Sequence, residues 1–185
     1  YQTENYNSND LLREFVEFLE SAEAQEAITA YGYVSTNSSA AAYTVPESLT
    51  ETSLTIGGST SVQPLMSQDT EDGDPCLITV FRDLLAENDI NVTITYDGTG
   101  SGTGRQNTVN GTYDIGFASA EVTDEDMAEN NDATHTWNGT IYQLCADGIA
   151  IIVNTGNTVT NLTTEQLRNI YTGANTTWAD FVAAE

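Results

Sequence analysis

The sequence contains no lysine, and its only fixed cations are Arg13, Arg82, Arg105 and Arg168. Against them stand 28 acidic residues, for a formal net charge of −24. Such a surface repels phosphate backbones and anionic lipid, which excludes nucleic acid and anionic membranes as partners. It keeps a protein soluble and suits high salt, where screening weakens the self-repulsion. Histidine is represented once, by His135, in a polar loop. Two cysteines and one distant histidine make no ligand spacing, so no metal is expected. No serine has a histidine near it in sequence, the acids are spread as on a solvated face, and no enzymatic arrangement or cofactor is implied. No run of 18 or more apolar residues is present, so no transmembrane helix is encoded. The first residue is Tyr, with no signal-like opening, and the chain reads as mature, processed or excised.

What is present is a globular composition, 39% apolar over 185 residues, enough for one domain with a real core and room for an appendage. Asn, Ser and Thr are abundant, and N-x-Ser/Thr sequons fall at Asn37, Asn91, Asn110, Asn138, Asn161 and Asn175. Six point to a secreted or cell-surface protein carrying glycans, of the archaeal type. The competing reading is that an Asn/Thr-rich sequence makes sequons by chance. In an oxidising compartment Cys76 and Cys145 are expected to be bridged, the alternative being two buried, inert thiols.

Three short β-type runs organise the chain, each ending in small or hydroxyl-bearing residues. Leu54-Thr-Ile56 leads into Gly57-Gly-Ser-Thr-Ser61. Val92-Thr-Ile-Thr-Tyr96 leads into Asp97-Gly-Thr-Gly-Ser-Gly-Thr-Gly104, and Tyr113-Asp-Ile-Gly-Phe117 into Ala118-Ser119. In an open α/β sheet, ligands sit beyond the carboxyl ends of the strands, where helices begin. Free backbone N–H groups there, with hydroxyls beside them, suit a small anion without any cation. The candidate donors are Ser59, Thr60, Ser61, Ser101, Gly102 and Ser119, and Arg105 is the only cation near them. The alternative is that these are turn residues that the fold requires. The glycine turn is no P-loop, since no Gly-Lys-Ser/Thr follows.

These runs, with Asp147-Gly-Ile-Ala-Ile-Ile-Val-Asn154 and Leu162-Thr-Thr-Glu-Gln-Leu-Arg-Asn-Ile-Tyr-Thr-Gly173 followed by Trp178, resemble the phosphate-binding proteins of ABC transporters, the PstS group of type II periplasmic solute-binding proteins. The resemblance covers residues 54 to 181. A further likeness comes first in the chain: Phe15-Val-Glu-Phe-Leu-Glu-Ser-Ala-Glu-Ala-Gln25 and Tyr31-Gly-Tyr-Val34 resemble that family's closing helices. The resemblance thus implies a three-layer α/β/α first lobe in circularly permuted order, with the start of a second lobe. Residues 1–34 would be the family's C-terminal helices packed on lobe one and 35–52 a linker. Residues 53–154 would be the α/β core with its hinge strand, and 155–185 the beginning of lobe two or an assembly tail.

Two departures bear on function. Where many relatives have Arg or Asp after Ala-Ser, this chain has Ala120 then Glu121, and the family's second-lobe Arg-x-x-Gly-Ser-Gly-Thr segment is not found in it. The resemblance implies a non-catalytic, extracytoplasmic lobe recognising phosphate or a related oxyanion, weakly in this chain alone. The rival is a structural, filament-forming surface subunit that reuses the lobe and associates through 155–185.

The remaining elements follow from pattern. Asn9 is a plausible N-cap for a helix burying Leu11, Leu12, Phe15, Phe18 and Leu19, and Ser21 starts a second helix that stops at Gly32. Helices are expected near Val62, through Leu77 to Leu85, and from Thr103 to about Asn110. The intervening acids Asp69, Glu71, Asp72 and Asp74 are oxygen donors without an EF-hand pattern, so they read as a solvated loop. Ile141–Cys145 and Ile149–Val153 read as strands, the second apolar on both faces and so central in a covered sheet. Thr163 and Gln166 form a capping box for a helix carrying Leu167, Ile170 and Tyr171. Trp178, Phe181 and Val182 give the tail an apolar face without an evident partner.

Overall fold

The computed structural model describes residues 4–174 and 177–181, so Val182 and the sequon Asn175 lie outside the described residues. The chain divides into two compact units, 1–148 and 149–185.

In the first unit, α1 (Asp10–Leu19) and α2 (Ala22–Ala30) start where polar caps place them. Asn9 accepts from the Leu12 amide at 2.9 Å and Ser21 from the Ala24 amide at 3.4 Å, each satisfying an amide that the helix leaves unpaired. The face of α1 with Leu11, Leu12, Phe15 and Phe18 is fully buried, and Leu19 is half-buried against it. Residues 35–52 form no regular element and are fastened to these helices by acidic and amide side chains. Asp10 accepts from the amides of Thr50 and Glu51, Glu23 from that of Tyr43, and Gln25 from Thr36 and Asn37. The Tyr43 hydroxyl donates to Glu14 at 2.7 Å, and burial together with that carboxylate pushes the phenol above its ordinary pKa. Its ring packs on Phe18 and Phe81, centroids 5.8 and 5.7 Å away.

The sheet is parallel, in the order β2-β1-β3, with β1 (Ser53–Gly58) between β2 (Thr93–Asp97) and β3 (Ile115–Phe117). Leu54 and Ile56 alternate along β1 into a core with α1, α2 and α4 (Leu77–Ala86), whose Phe81 stacks among Phe15 and Phe18. After β1 comes the short α3 (Gln63–Ser67), with Pro64 in its first turn. After β2 comes α5 (Ser101–Val109), two residues earlier than its sequence pattern predicts. The reason is Gly100, whose φ of +92° lets the chain turn directly into the helix. Past β3, α6 (Asp124–Ala128) carries a Thr123/Asp126 capping box and closes a small core of Val109, Val122 and Met127. This is the α/β class with a parallel sheet that the sequence implies.

Three expectations are corrected. Ile141–Cys145 is not a strand: it forms no ladder with β3, and an antiparallel bridge between Val34 and Ala146 holds the chain just after it. Ile149–Val153 is not a strand either, and Ile149 and Ile152 are 93% and 91% exposed rather than central in a sheet. An apolar run becomes a strand only where a neighbouring strand takes up its amides and carbonyls, and none does so for these runs among the described residues. The Cys76–Cys145 bridge is absent, and both thiols are free. Cys76 is buried at the start of α4 with its Sγ 3.3 Å from Thr79 Oγ1. Cys145 is half-buried near Asp147, and burial pushes both thiols above their usual pKa. That is the buried-thiol alternative.

In the second unit, α7 (Thr164–Tyr171) is capped as expected. The Gln166 amide donates to Thr163 Oγ1 at 3.2 Å, and the Thr163 amide to Gln166 Oε1 at 2.7 Å. Leu167 and Ile170 are half-buried, lining a hollow of about 590 Å³ with Ile152, Val153 and Trp178. Tyr171 is 78% exposed.

Candidate functional site

Parallel pairing sends all three strands in one direction, so their glycine- and hydroxyl-rich ends gather at one edge of the sheet. Backbone bonds knit them there. The Ser59 amide donates to the Phe117 carbonyl at 2.9 Å, and the Gly100 amide to the Gly58 carbonyl at 2.6 Å. Helix α5 then lies close over β1: a Cβ on Gly104 would stand 2.8 Å from the Cα of Gly58.

Among the residues predicted from sequence, Ser101 and Ser119 are brought together, their hydroxyl oxygens 3.5 Å apart and the Ser119 amide donating to Ser101 Oγ at 3.3 Å. Ser59 is buried at 2% exposure, and its Oγ accepts from the Ser61 amide at 3.2 Å, which shapes the turn. Thr60, Ser61 and Gly102 are exposed. The entry to α5 is open. Helices α1, α2, α6 and α7 each have a side chain accepting from their first turn, whereas α5, like α3 and α4, has no side-chain cap; its N-cap is Gly100, and it alone of these three opens beside the Ser101 and Ser119 hydroxyls. The amides of Ser101, Gly102 and Thr103 thus face outward at the positive end of the helix, beside two serine hydroxyls.

Arg105 lies one turn further along α5, half-buried, with its Nε shielded and lacking a hydrogen-bond partner among the described residues. Its charge is felt at Asp126 on α6. The Thr123 hydroxyl and amide hold that carboxyl below its usual range, and Arg105 adds to the effect. A cavity of about 790 Å³ runs along β3, between Ile115 and Phe117, Gln25 of α2, and Ile141 and Leu144. It adjoins the turn after β3 through Ala118 and Ser119, and Ser119 is the one candidate anion donor that lines it. His135 sits in its own loop, Nδ1 3.0 Å from Asp132 Oδ2. The amides of Thr134 and His135 and the His135 ring hold the Asp132 carboxyl far below its ordinary range. In the acidic loop Asp69 Oδ1 accepts from the Cys76 amide at 2.8 Å and Asp74 Oδ2 from the Thr70 hydroxyl at 3.3 Å, while Glu71 and Asp72 are exposed. No cluster with metal-ligand geometry occurs among the described residues. Of the sequons, Asn37, Asn91, Asn138 and Asn161 are exposed, and Asn110 is half-buried with its Oδ1 accepting from the Thr112 amide.

Sequence reasoning missed three tyrosines. Tyr96 donates to the Ser59 carbonyl at 2.6 Å, Tyr33 to the Ser61 carbonyl at 3.0 Å, and Tyr113 to the Asp97 carboxylate at 2.7 Å. A signal existed for Tyr96, which shares with Ile94 the covered side of a strand that alternates with Thr93, Thr95 and Asp97. A large ring at the end of such a strand carries its hydroxyl past it.

Comparison with known proteins agrees with this architecture. The phosphate-binding protein PstS 2 of Streptococcus agalactiae is 28% identical over 178 residues, 96% of this chain and 53% of that one. The PstS 2 of Streptococcus pneumoniae is 27% identical over 172 residues, 93% of this chain and 51% of its own. The chain thus spans about half the length of the curated relatives it matches. A crystal structure of the phosphate-binding protein of a phosphate ABC transporter from Streptococcus pneumoniae superposes with a TM-score of 0.71 at 24% identity, over 98% of this chain and 61% of that one, which establishes the shared fold. The family model described as PBP superfamily domain matches residues 24–185, and with the parallel sheet and its glycine turns in place the chain belongs to that family.

Proposed function

We propose that the chain is a non-catalytic solute-binding lobe, working outside the cytoplasm, that takes phosphate or a related oxyanion at the turn edge of its sheet. The donors are the side chains of Ser59, Thr60, Ser61, Ser101 and Ser119 with the backbone amides of Ser101 and Gly102, and Arg105 is the nearby cation. The observation that carries this reading is the uncapped N-terminus of α5 beside the paired Ser101 and Ser119 hydroxyls. An anion there supplies what a side chain supplies to the other capped helices. The PstS relatives, named for phosphate binding, support the same ligand class. With donors on one side only, water competes well for the anion, and the affinity of this chain is low.

Isothermal titration with phosphate and with sulfate tests the reading. Weak binding is expected, with a dissociation constant of about a millimolar, or roughly −4 kcal/mol. Ser101→Ala with Ser119→Ala should abolish it. Binding that survives that double substitution places the site elsewhere, and a sub-micromolar constant for the wild type means that donors on one side suffice.

A second reading, an assembling surface subunit, is favoured by the exposed apolar side chains of the 149–185 unit, Tyr171 and, within the terminal segment, Trp178. Light scattering at high protein concentration should then show association that is lost when 174–185 is deleted. A monomer at all concentrations removes it.

A further inference from the structure

We infer that Tyr113 is the positioning residue of the anion site, holding the glycine turn after β2 in its binding shape; this rests on the function proposed above. Tyr113 belongs to none of the donor turns. It lies two residues before β3, buried at 2% exposure, and its hydroxyl is the group that bonds to the turn after β2. Strand β1 is built to admit it: a Cβ on Gly57 would lie 2.9 Å from the Cε2 and Cζ of the Tyr113 ring. The backbone below is fixed as well, since the Tyr113 amide donates to the Asn107 carbonyl at 2.9 Å and the Asp114 amide to the Thr55 carbonyl at 2.8 Å. The ring is therefore a rigid post set between α5 and the sheet.

The hydroxyl at the top of that post meets two residues of the turn at once. It lies 2.7 Å from Asp97 Oδ2 and 3.1 Å from Thr99 Oγ1. An ionised carboxylate cannot donate, so the phenol proton goes to Asp97 and the Thr99 hydroxyl donates to the phenol oxygen. One hydroxyl group thereby ties together the residues on either side of Gly98. Beyond Thr99 the Gly100 amide is bonded to the Gly58 carbonyl, and Ser101 opens the helix. A turn with glycine at 98 and 100 has wide backbone freedom and no side chains at those positions to anchor it. The Tyr113 bonds remove that freedom, so that the Ser101 and Gly102 amides stand where an anion needs them, which is preorganisation. They also fix the direction of the Asp97 carboxylate, a negative charge at the same sheet edge. Tyr96 and Tyr33 do the like for the neighbouring turn, occupying the carbonyls of Ser59 and Ser61.

The test is Tyr113→Phe, which keeps the ring and removes the hydroxyl. Asp97→Ala is the second variant: it removes the acceptor at the surface and leaves the buried ring in place if the first fails to fold. Two quantities are read on the full chain: inorganic phosphate affinity by titration, and amide hydrogen exchange of Thr99, Gly100 and Ser101 by NMR. For Tyr113→Phe the expected result is about tenfold weaker phosphate binding and about tenfold faster exchange confined to that turn, with the thermal midpoint of the core little changed; Asp97→Ala also removes a negative charge near the anion, so it is read by the exchange alone, with the same expected increase. Wild-type affinity in folded Tyr113→Phe, or unchanged exchange in either folded variant, overturns the inference. If the wild type binds no phosphate, the proposed function fails by itself. The exchange then decides: faster exchange confined to 99–101 supports the positioning role, and unchanged exchange overturns it.

Discussion

Gly104 and Gly102 sit two residues apart in α5, and substituting each by alanine should move stability in opposite directions. Alanine is the better helix former by about 0.8–1 kcal/mol in a helix interior, so propensity alone favours both changes. Space separates them. A Cβ at 102 meets nothing within 4 Å, whereas one at 104 lands 2.8 Å from Gly58 Cα and 3.1 Å from the Phe117 carbonyl oxygen. Both obstacles at 104 are backbone of the central and edge strands, so neither can swing aside as a side-chain tip would. Relief requires α5 to lift off β1 by several tenths of an ångström. Overpacking of this kind costs roughly 1–3 kcal/mol, a net figure that already contains the burial of the added methyl. Set against about 1 kcal/mol of propensity, Gly104→Ala should destabilise by about 1 kcal/mol. Gly102→Ala, in the first turn, should be neutral or stabilising by up to about 0.5–1 kcal/mol. For a chain of this size a change of 1 kcal/mol is a shift of roughly 2–4 °C in Tm. Urea unfolding with Tm measurements on the two variants reads the difference directly. Gly104→Ala, by lifting the helix, should also weaken phosphate binding. If Gly104→Ala is as stable as wild type, α5 does not seat on β1 as closely as described, and the geometry of the candidate site falls with it.

Two further outcomes follow from side chains that the fold has put to use. Burial pushes the carboxyls of Asp10 and Glu23 upward, but the bonds they accept from Thr50 and Glu51, and from Tyr43, outweigh it and leave both below their ordinary values of 3.8 and 4.5. A depressed folded pKa contributes stability above the unfolded value and loses it as pH falls through the folded one. The 35–52 strap should therefore loosen below about pH 4. Proteolysis within 35–52 as a function of pH checks this, and Asp10→Asn should make cleavage less pH-dependent; equal cleavage at pH 3 and pH 6 in the wild type contradicts it. Thiol labelling of the unfolded, unreduced protein should find two reactive cysteines per chain, and in the folded state half-buried Cys145 should react before buried Cys76; no reactive thiol after unfolding would mean a bridge.

The parts of this protein legible from sequence are those governed by near neighbours in the chain. Asn9, Ser21, Thr163 and Gln166 cap helices because a capping bond spans only three residues, and all four were identifiable from spacing alone. The stripe of Leu11, Leu12, Phe15 and Phe18 was visible for the same reason, since 3.6-residue periodicity is local. The donor turns were legible as glycine- and serine-rich ends of β-type runs, in the order that the family shares. Tertiary structure alone decided what depends on partners far along the chain. Ile149–Val153 has the composition of a central strand and is exposed, because a strand needs another strand beside it and apolar content cannot supply one. Cys76 and Cys145 were paired by count and compartment, yet each thiol rests in its own packed surroundings, which no spacing in sequence encodes. The site itself shows the same division. Ser101 and Ser119 are 18 residues apart and meet because β3 pairs with β1 beneath α5. Tyr113 reaches Asp97 and Thr99 only because β1 presents a glycine where its ring must pass. The sequence determines which groups are available to an anion; the packing of distant strands determines which of them converge and what holds them still.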